Sequence, residues 1–348
     1  MKTEKEPPII ITPEGKVVRT HYYSVKKGIE WKSFPMRLWE ISQRLFWSPL
    51  QFERHIQEDA EDWKKMTEAE REISEYIATL FAAGEESVAR YLAELVVALD
   101  ELGYTEEVLF LNQFQQEESR HTDAFRRWMD TVGIPADVEK WAIMNKPYYE
   151  LFYIALPSAA HSVKNNPTPE NIIRFTATYM FSIEGIAAET GFYFWRTMWE
   201  NGKHLRGIYE IVKRVALDES RHVAFGTYLT TMLISEYGEE LYEKFIEYFN
   251  YAGGLGVRLV GEIIEYEMNK WEGQREKWGN YFKWVYEENG LGSLTAYAAK
   301  MVQNRLYYVN KLKNANKEKL RFLPIRELDV IESEDVIEKY LTPEFTPQ

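Results

Sequence analysis

An all-α fold is predicted by three features of the sequence. Apolar residues recur at helical spacing over long stretches, notably from Ile73 to Leu95 and from Ile172 to Phe194. Glycine and proline gather at a few boundaries between those stretches. The four residues Glu-Ser-Arg-His occur twice, at 118–121 and 219–222, and each copy interrupts an apolar stripe.

Along the chain, residues 1–34 read as an N-terminal arm or hairpin. Ile9 to Thr12 and Lys16 to Thr20 flank the turn formers Pro13, Glu14 and Gly15. Helix is predicted from Pro35, and Trp39 to Phe46 is amphipathic until Trp47-Ser48-Pro49 ends or redirects it. Thr67 with Glu70 forms a capping box, opening a helix that Gly103 stops. The first Glu-His helix ends at Gly133-Ile134-Pro135, and Trp141 to Leu156 follows as an aromatic connecting segment. A turn at Asn165 to Pro169 precedes a helix from Glu170 to Trp199, and Asn201-Gly202 leads into the second Glu-His helix. Beyond Tyr237 we expect helices over 239–271, with an interruption at Gly253 to Gly256, then over 279–287 and 293–311. Their Tyr and Trp stripes suit core or a dimer surface, and a homodimer is expected. Residues 35–322 are thus read as one helical domain and 323–348 as an extended tail.

In the first Glu-His helix the stripe runs Val108, Leu111, Phe114, Glu118, His121, Phe125 and Trp128. In the second it runs Ile208, Val212, Val215, Glu219, His222, Phe225 and Leu229. Three residues apart on a helix, Glu and His share a face and can grip one ion. Burying ionised carboxylates costs several kcal/mol apiece unless each is paired or binds metal. One such pair arises by chance roughly once per acidic helical chain, so the second copy in a core position carries the argument.

A bundle with two Glu-x-x-His helices also needs one Glu from each of two others. Glu85 lies inside the stripe of the first long helix, whereas Glu86 points further from it and Glu94 and Glu101 read as solvated. Glu184 precedes the small residues Ala187 and Ala188, and Glu189 is the second choice on that helix. The order Glu, Glu-x-x-His, Glu, Glu-x-x-His is the dimetal arrangement of a ferritin-like bundle. Four carboxylates and two imidazoles suit two first-row ions such as iron or manganese. Asp218 is a candidate outer partner for a ligand histidine.

Composition narrows the alternatives. With 45% hydrophobic residues and 15% aromatic, the chain has material for a large core. It has no cysteine, so any metal is held by oxygen and nitrogen. A net charge of −13 disfavours a nucleic-acid partner. No apolar run reaches the roughly twenty residues of a membrane span, and MKTEKEPP lacks the apolar segment of a signal peptide, so a cytoplasmic location is expected.

The chain resembles the ribonucleotide reductase small subunit and, more closely, the ligand-binding oxidases related to it. The resemblance spans roughly residues 40–235 and rests on FWSP at 46–49, GEESV at 84–88, EESRH ending at His121, YMFSIEG at 179–185 and DESRH at 218–222. It implies a manganese–iron cofactor, with two irons as the alternative. Manganese would lie with Glu85, Glu118 and His121, and iron with Glu184, Glu219 and His222. Affinity alone does not dictate that order, because iron(II) generally binds more tightly than manganese(II).

The resemblance also implies dioxygen activation, a bound long-chain fatty acid, and an ether cross-link between Val88 and Tyr179. The small residues Gly84, Gly185, Ala187, Ala188 and Gly191 would open space beside such a site. A rival reading is the reductase small subunit itself. Most of those carry the radical tyrosine where this chain has Phe125, while Trp47 resembles the tryptophan of their electron-transfer route. An iron-storage bundle is the third reading, disfavoured by a long chain with one site.

Overall fold

The computed structural model describes residues 8–135, 138–333, 336–337 and 341. The remaining parts of the predicted arm and tail lie outside the described residues. Ile9–Ile11 and Val17–Arg19 pair antiparallel, Ile10 opposite Val18, around a turn in which Gly15 takes φ +77°. The tail holds a short 3₁₀ turn at Ile325–Leu328, and Leu323, Ile325, Leu328 and Ile331 are buried rather than splayed into solvent.

The core is built on four long helical runs. Glu68–Glu101 opens with the predicted Thr67–Glu70 capping box, both of whose reciprocal bonds form. Thr105–Val132 packs back along it and ends on Gly133, whose φ of +92° is the left-handed cap that glycine takes without strain. The third run goes from Pro169–Thr176 through Ala177–Ala188 to Glu189–Thr197. Arg206–Tyr237 is the fourth. Phe34–Arg44 and Glu53–Lys65 pack on the two Glu-His helices, and Glu239–Trp271 lies across the third run. No helix among the described residues is long and apolar enough to cross a membrane.

Three local features differ from expectation. The third run is α-helical only at its ends: Ala177–Ala188 is π-helix, and the Ser182 hydroxyl donates to the carbonyl of Ala177, five residues back, at 2.7 Å. The segment expected as a connector is itself helical, with a π turn at Glu150–Ala155 leading into Leu156–Asn165; the Asn145 side chain and Pro147 start it. The glycine run at 253–256 does not interrupt the Glu239–Trp271 helix. A Cβ at Gly253 would stand 3.2 Å from Ile186 Cδ1, and one at Gly256 3.2 Å from the carbonyl oxygen of Ser182. The glycines let this helix seat on the π segment.

Asp59 ties the two Glu-His helices together. Its carboxylate accepts the backbone N–H groups of Gly207 and Ile208, both at 2.7 Å, capping the second helix from a neighbouring element. It also accepts the Trp128 indole N–H, from the first Glu-His helix, at 2.8 Å. Burial pushes the Asp59 carboxyl up to about 6 despite these bonds.

Candidate metal centre

The four runs bring six side chains to one buried place. Glu85, Glu118, His121 and Glu219 form one group able to hold a metal ion, and Glu118, Glu184, Glu219 and His222 form another. Glu118 and Glu219 belong to both groups, so they are the two carboxylates positioned to bridge a pair of ions. All six residues are at most 5% exposed.

Each histidine turns Nδ1 inward. Nδ1 of His121 lies 3.4 Å from Glu85 and 3.5 Å from both Glu118 and Glu219. Nδ1 of His222 lies 3.0 Å from Glu118, 3.3 Å from Glu219 and 3.7 Å from Glu184. Each Nε2 turns outward to a carboxylate on the opposite Glu-His helix. His121 Nε2 is 3.0 Å from Asp218, and His222 Nε2 is 2.8 Å from Glu117. Outward donation fixes the tautomer with the proton on Nε2 and leaves the Nδ1 lone pair for the site.

This explains the repeated arginine. Arg221 bonds Glu117 at 2.9 Å, and also Asp218, while Arg120 bonds Asp218 at 3.0 Å. The outer layer of Glu117, Asp218, Arg120 and Arg221 is neutral in itself. Burial would raise the Asp218 carboxyl, but Arg221 and then His121 hold it below the usual range; Arg221 does the same for Glu117. Trp47 joins the layer, its indole N–H donating to Asp218 at 2.8 Å, with its ring 6.1 Å from that of His121.

The inner layer is not neutral. With its histidines uncharged it holds four carboxylates, a formal charge that two divalent cations would cancel. Both oxygens of Glu118, both of Glu184 and Nδ1 of His121 make no well-directed hydrogen bond in the protein. Burial pushes the Glu85 and Glu184 carboxyls well up and Glu219 up to about 7. Burial also acts to raise Glu118, yet the two imidazoles beside it hold that carboxyl below its usual range. Side chains so placed fit a dinuclear ion pair and little else.

The other acidic candidates go elsewhere. Glu189 is buried but pairs with Arg305 at 3.2 Å, and Glu86 is exposed beside Arg90. Sequence reasoning assigned no role to Glu117, Arg120 or Arg221. The signal available was the identity of the intervening Ser-Arg in both motifs, which ion gripping alone does not require.

A mainly apolar cavity, partly open to solvent, reaches the metal-binding groups, with Glu85, Glu184 and Glu219 among its lining residues. Gly84, Val88, Ile183, Ala187 and Gly191 also line it. A Cβ at Gly191 would fall 2.4 Å from the ring of Phe81, another lining residue, so glycine leaves that ring its place. Tyr179 is fully buried, and its hydroxyl has no hydrogen-bond partner. Burial, then the charges of Glu118 and Glu184, push its phenol well above the usual range, so it stays protonated. Tyr179 stands five residues before Glu184. In an α-helix that offset turns side chains about 140° apart, whereas the i→i+5 hydrogen bonding of the π segment brings the two closer to one face. Phe125 is fully buried and stacks on Phe81 at 4.8 Å.

The model of the family described as ribonucleotide reductase, small chain, matches residues 33–288. An R2-like ligand-binding oxidase from Sulfolobus acidocaldarius, solved by 3D micro-crystal electron diffraction, is 31% identical. That alignment covers 87% of this chain and 100% of the oxidase, with a TM-score of 0.75. Another R2-like ligand-binding oxidase, with an aerobically reconstituted Mn/Fe cofactor, is 27% identical over 84% of this chain and 98% of its own, TM-score 0.76. A variant of such an oxidase, aerobically reconstituted with an Fe/Fe cofactor, is 27% identical over 84% and 99%, also at 0.76. With its fold and most of its length matched, this chain belongs to the ribonucleotide reductase small chain family, in the branch of the R2-like ligand-binding oxidases.

Proposed function

We propose that this protein is a dioxygen-activating oxidase whose cavity takes the tail of a long-chain fatty acid. Its metal pair, manganese with iron or two irons, is held by Glu85, Glu118, His121, Glu184, Glu219 and His222. The observation that carries this reading is the mainly apolar cavity that has three of those carboxylates in its lining. When bound, the metals supply electrons to dioxygen and Lewis acidity to a ligand carboxylate.

The residues of the chain do the rest. Glu118 and Glu219, common to both groups, would be shared by a bound metal pair, with Glu85 and His121 holding one ion and Glu184 and His222 the other. Asp218 and Glu117 keep each imidazole oriented, with its proton away from the site. Gly84, Ala187 and Ala188 leave room for the acid's carboxylate, and the isoleucine, leucine and phenylalanine wall keeps water from its tail.

Val88 and Tyr179 are the residues modified. The Val88 Cβ–H and Tyr179 O–H bonds break and a Cβ–O ether forms. Dioxygen would accept the two electrons and two protons released; with two further electrons that a bound, reduced metal pair would supply and two protons from solvent, the product would be water.

The second reading, a radical-generating reductase subunit, is favoured by one observation. Trp47, Asp218 and His121 form a hydrogen-bonded line from a buried indole to the centre. Phe125, where most such subunits carry the radical tyrosine, does not by itself decide between the readings; Val88 together with Tyr179 favours the oxidase.

Organic extraction of purified protein with mass spectrometry tests the oxidase reading. Each buried methylene contributes about 0.8 kcal/mol, so a long-chain acid is expected to survive purification. Repeated absence of any fatty acid from protein freshly made in cells would contradict it.

A further inference from the structure

The Gly290–Leu312 helix, which begins beyond the 33–288 span matched by the family model, packs antiparallel along the third run. Near its start the Ser293 hydroxyl is 2.6 Å from that of Tyr193, and the Tyr297 ring stacks on Tyr193 at 4.4 Å, 6° from parallel. About two turns further on, Arg305 meets Glu189, four residues earlier in the run, at 3.2 Å. Both members of this ion pair are buried.

Arg305 also packs its stem on Gly185. A Cβ at Gly185 would stand 2.8 Å from Arg305 Cδ and 3.3 Å from its Cγ. Gly185, expected from the sequence to open space beside the metals, is not among the cavity's lining residues; the arginine stem occupies that space. Gly185 follows Glu184, and the N–H of Glu189 donates to the carbonyl of Glu184 in the i→i+5 pattern. Arg305 thus braces the last turn of the π segment at both ends, its stem on Gly185 and its guanidinium on Glu189.

Glu184 needs such a brace because its side chain has little else to hold it. Neither of its oxygens makes a well-directed hydrogen bond in the protein, and His222 Nδ1 is 3.7 Å away. Glu85, by comparison, has His121 Nδ1 at 3.4 Å, and Glu219 has His222 Nδ1 at 3.3 Å. The place of the Glu184 carboxylate is therefore set by its backbone. That backbone lies where π hydrogen bonding replaces the commoner α pattern, and a slip to the α pattern would re-aim the side chain.

We infer that Arg305 is a positioning residue: its pair with Glu189 locks the last π turn and thereby aims Glu184 at its metal ion. The inference rests on the reading of Glu184 with His222 as the holders of one of two ions. Removing one charge of a buried pair strands the other and destabilises the whole fold, so the two are exchanged together. Arg305→Met with Glu189→Gln roughly keeps the volumes and leaves no unpaired charge, an exchange that is often neutral for stability.

Chelator competition tests it, with manganese(II) as the only metal. Full-length protein loaded with a manganese ion in each of the two groups is challenged with graded chelator, and retained metal is counted by elemental analysis after gel filtration. The paired exchange is expected to weaken the hold on one ion about tenfold while the other is held as in the wild type. The chemical-denaturation midpoint of the metal-free protein stays unchanged. In a Glu184→Ala background the same exchange has no further effect on the remaining ion, because the ligand it acts through is gone. Equal weakening of both ions, a wild-type release profile, or further weakening in the Glu184→Ala background overturns the positioning role and leaves the metal centre standing. A Glu184→Ala protein that holds both ions as tightly as the wild type overturns Glu184 as a ligand, and the inference with it.

Discussion

Glu117 and His222 sit on different helices, yet the Glu117 carboxylate lies 2.8 Å from His222 Nε2. Asp218 repeats the relationship toward His121 in the opposite direction. Each Glu-His helix therefore orients the other's histidine, and the two motifs work only as a pair. Glu117→Ala is expected to lower metal affinity on the His222 side about 10–100-fold. Chelator competition measures it, and Glu117→Gln should be milder because its amide oxygen still accepts the imidazole proton.

Bridging and terminal carboxylates should separate by stoichiometry. Glu118→Ala and Glu219→Ala each remove a ligand common to both groups, so neither variant should retain a stable metal pair. Glu85→Ala and Glu184→Ala each remove a ligand from one group, and about one ion per chain should remain. Elemental analysis after gel filtration distinguishes the two outcomes. Unchanged metal content in the Glu118 and Glu219 variants would contradict the bridging assignment.

Asp59 is far from the metals in role but sets the packing of the helices that carry them. Asp59→Ala leaves the N–H groups of Gly207, Ile208 and Trp128 without their acceptor. A loss of about 2–4 kcal/mol is expected in chemical denaturation. Asp59→Asn should cost less, because the amide oxygen keeps part of the cap.

Glu267 gives a pH dependence unconnected with metal. Burial, then the neighbouring Glu72, pushes its carboxyl up to about 8 from an ordinary 4.5, while the Trp271 indole N–H donates to it at 2.8 Å. The fold thus favours the protonated form. That stability is fully present below about pH 4.5 and is lost as pH rises through about 8, by up to about 1.4 kcal/mol per unit. Glu267→Gln should melt near the wild type at pH 5 and above it at pH 8.5. Equal melting temperatures at both values would contradict this account.

Long periodic stripes and turn formers made the helical bundle legible, and the Glu-x-x-His spacing singled out side chains that do converge. Three things were not legible. The π geometry of Ala177–Ala188, on which the Glu239–Trp271 helix packs, is not encoded in an apolar stripe of α periodicity. The roles of Glu117, Arg120 and Arg221 lie across helices, where spacing within one helix says nothing. Glycines 253 to 256 look like a break, because a sequence does not reveal that a neighbouring backbone will come close enough to need them.

The most direct test of the account concerns Val88 and Tyr179. Protein loaded with manganese and iron in the absence of air, then exposed to air, is digested and its peptides mapped by mass spectrometry. The account predicts that the Val88 and Tyr179 peptides appear joined, lighter by two hydrogen atoms than their sum. Tyr179→Phe should load metal without forming the link, and substitution of Phe125 should leave the link intact. Val88 and Tyr179 recovered always in separate, unmodified peptides after aerobic turnover would contradict the oxidase and favour the reductase subunit.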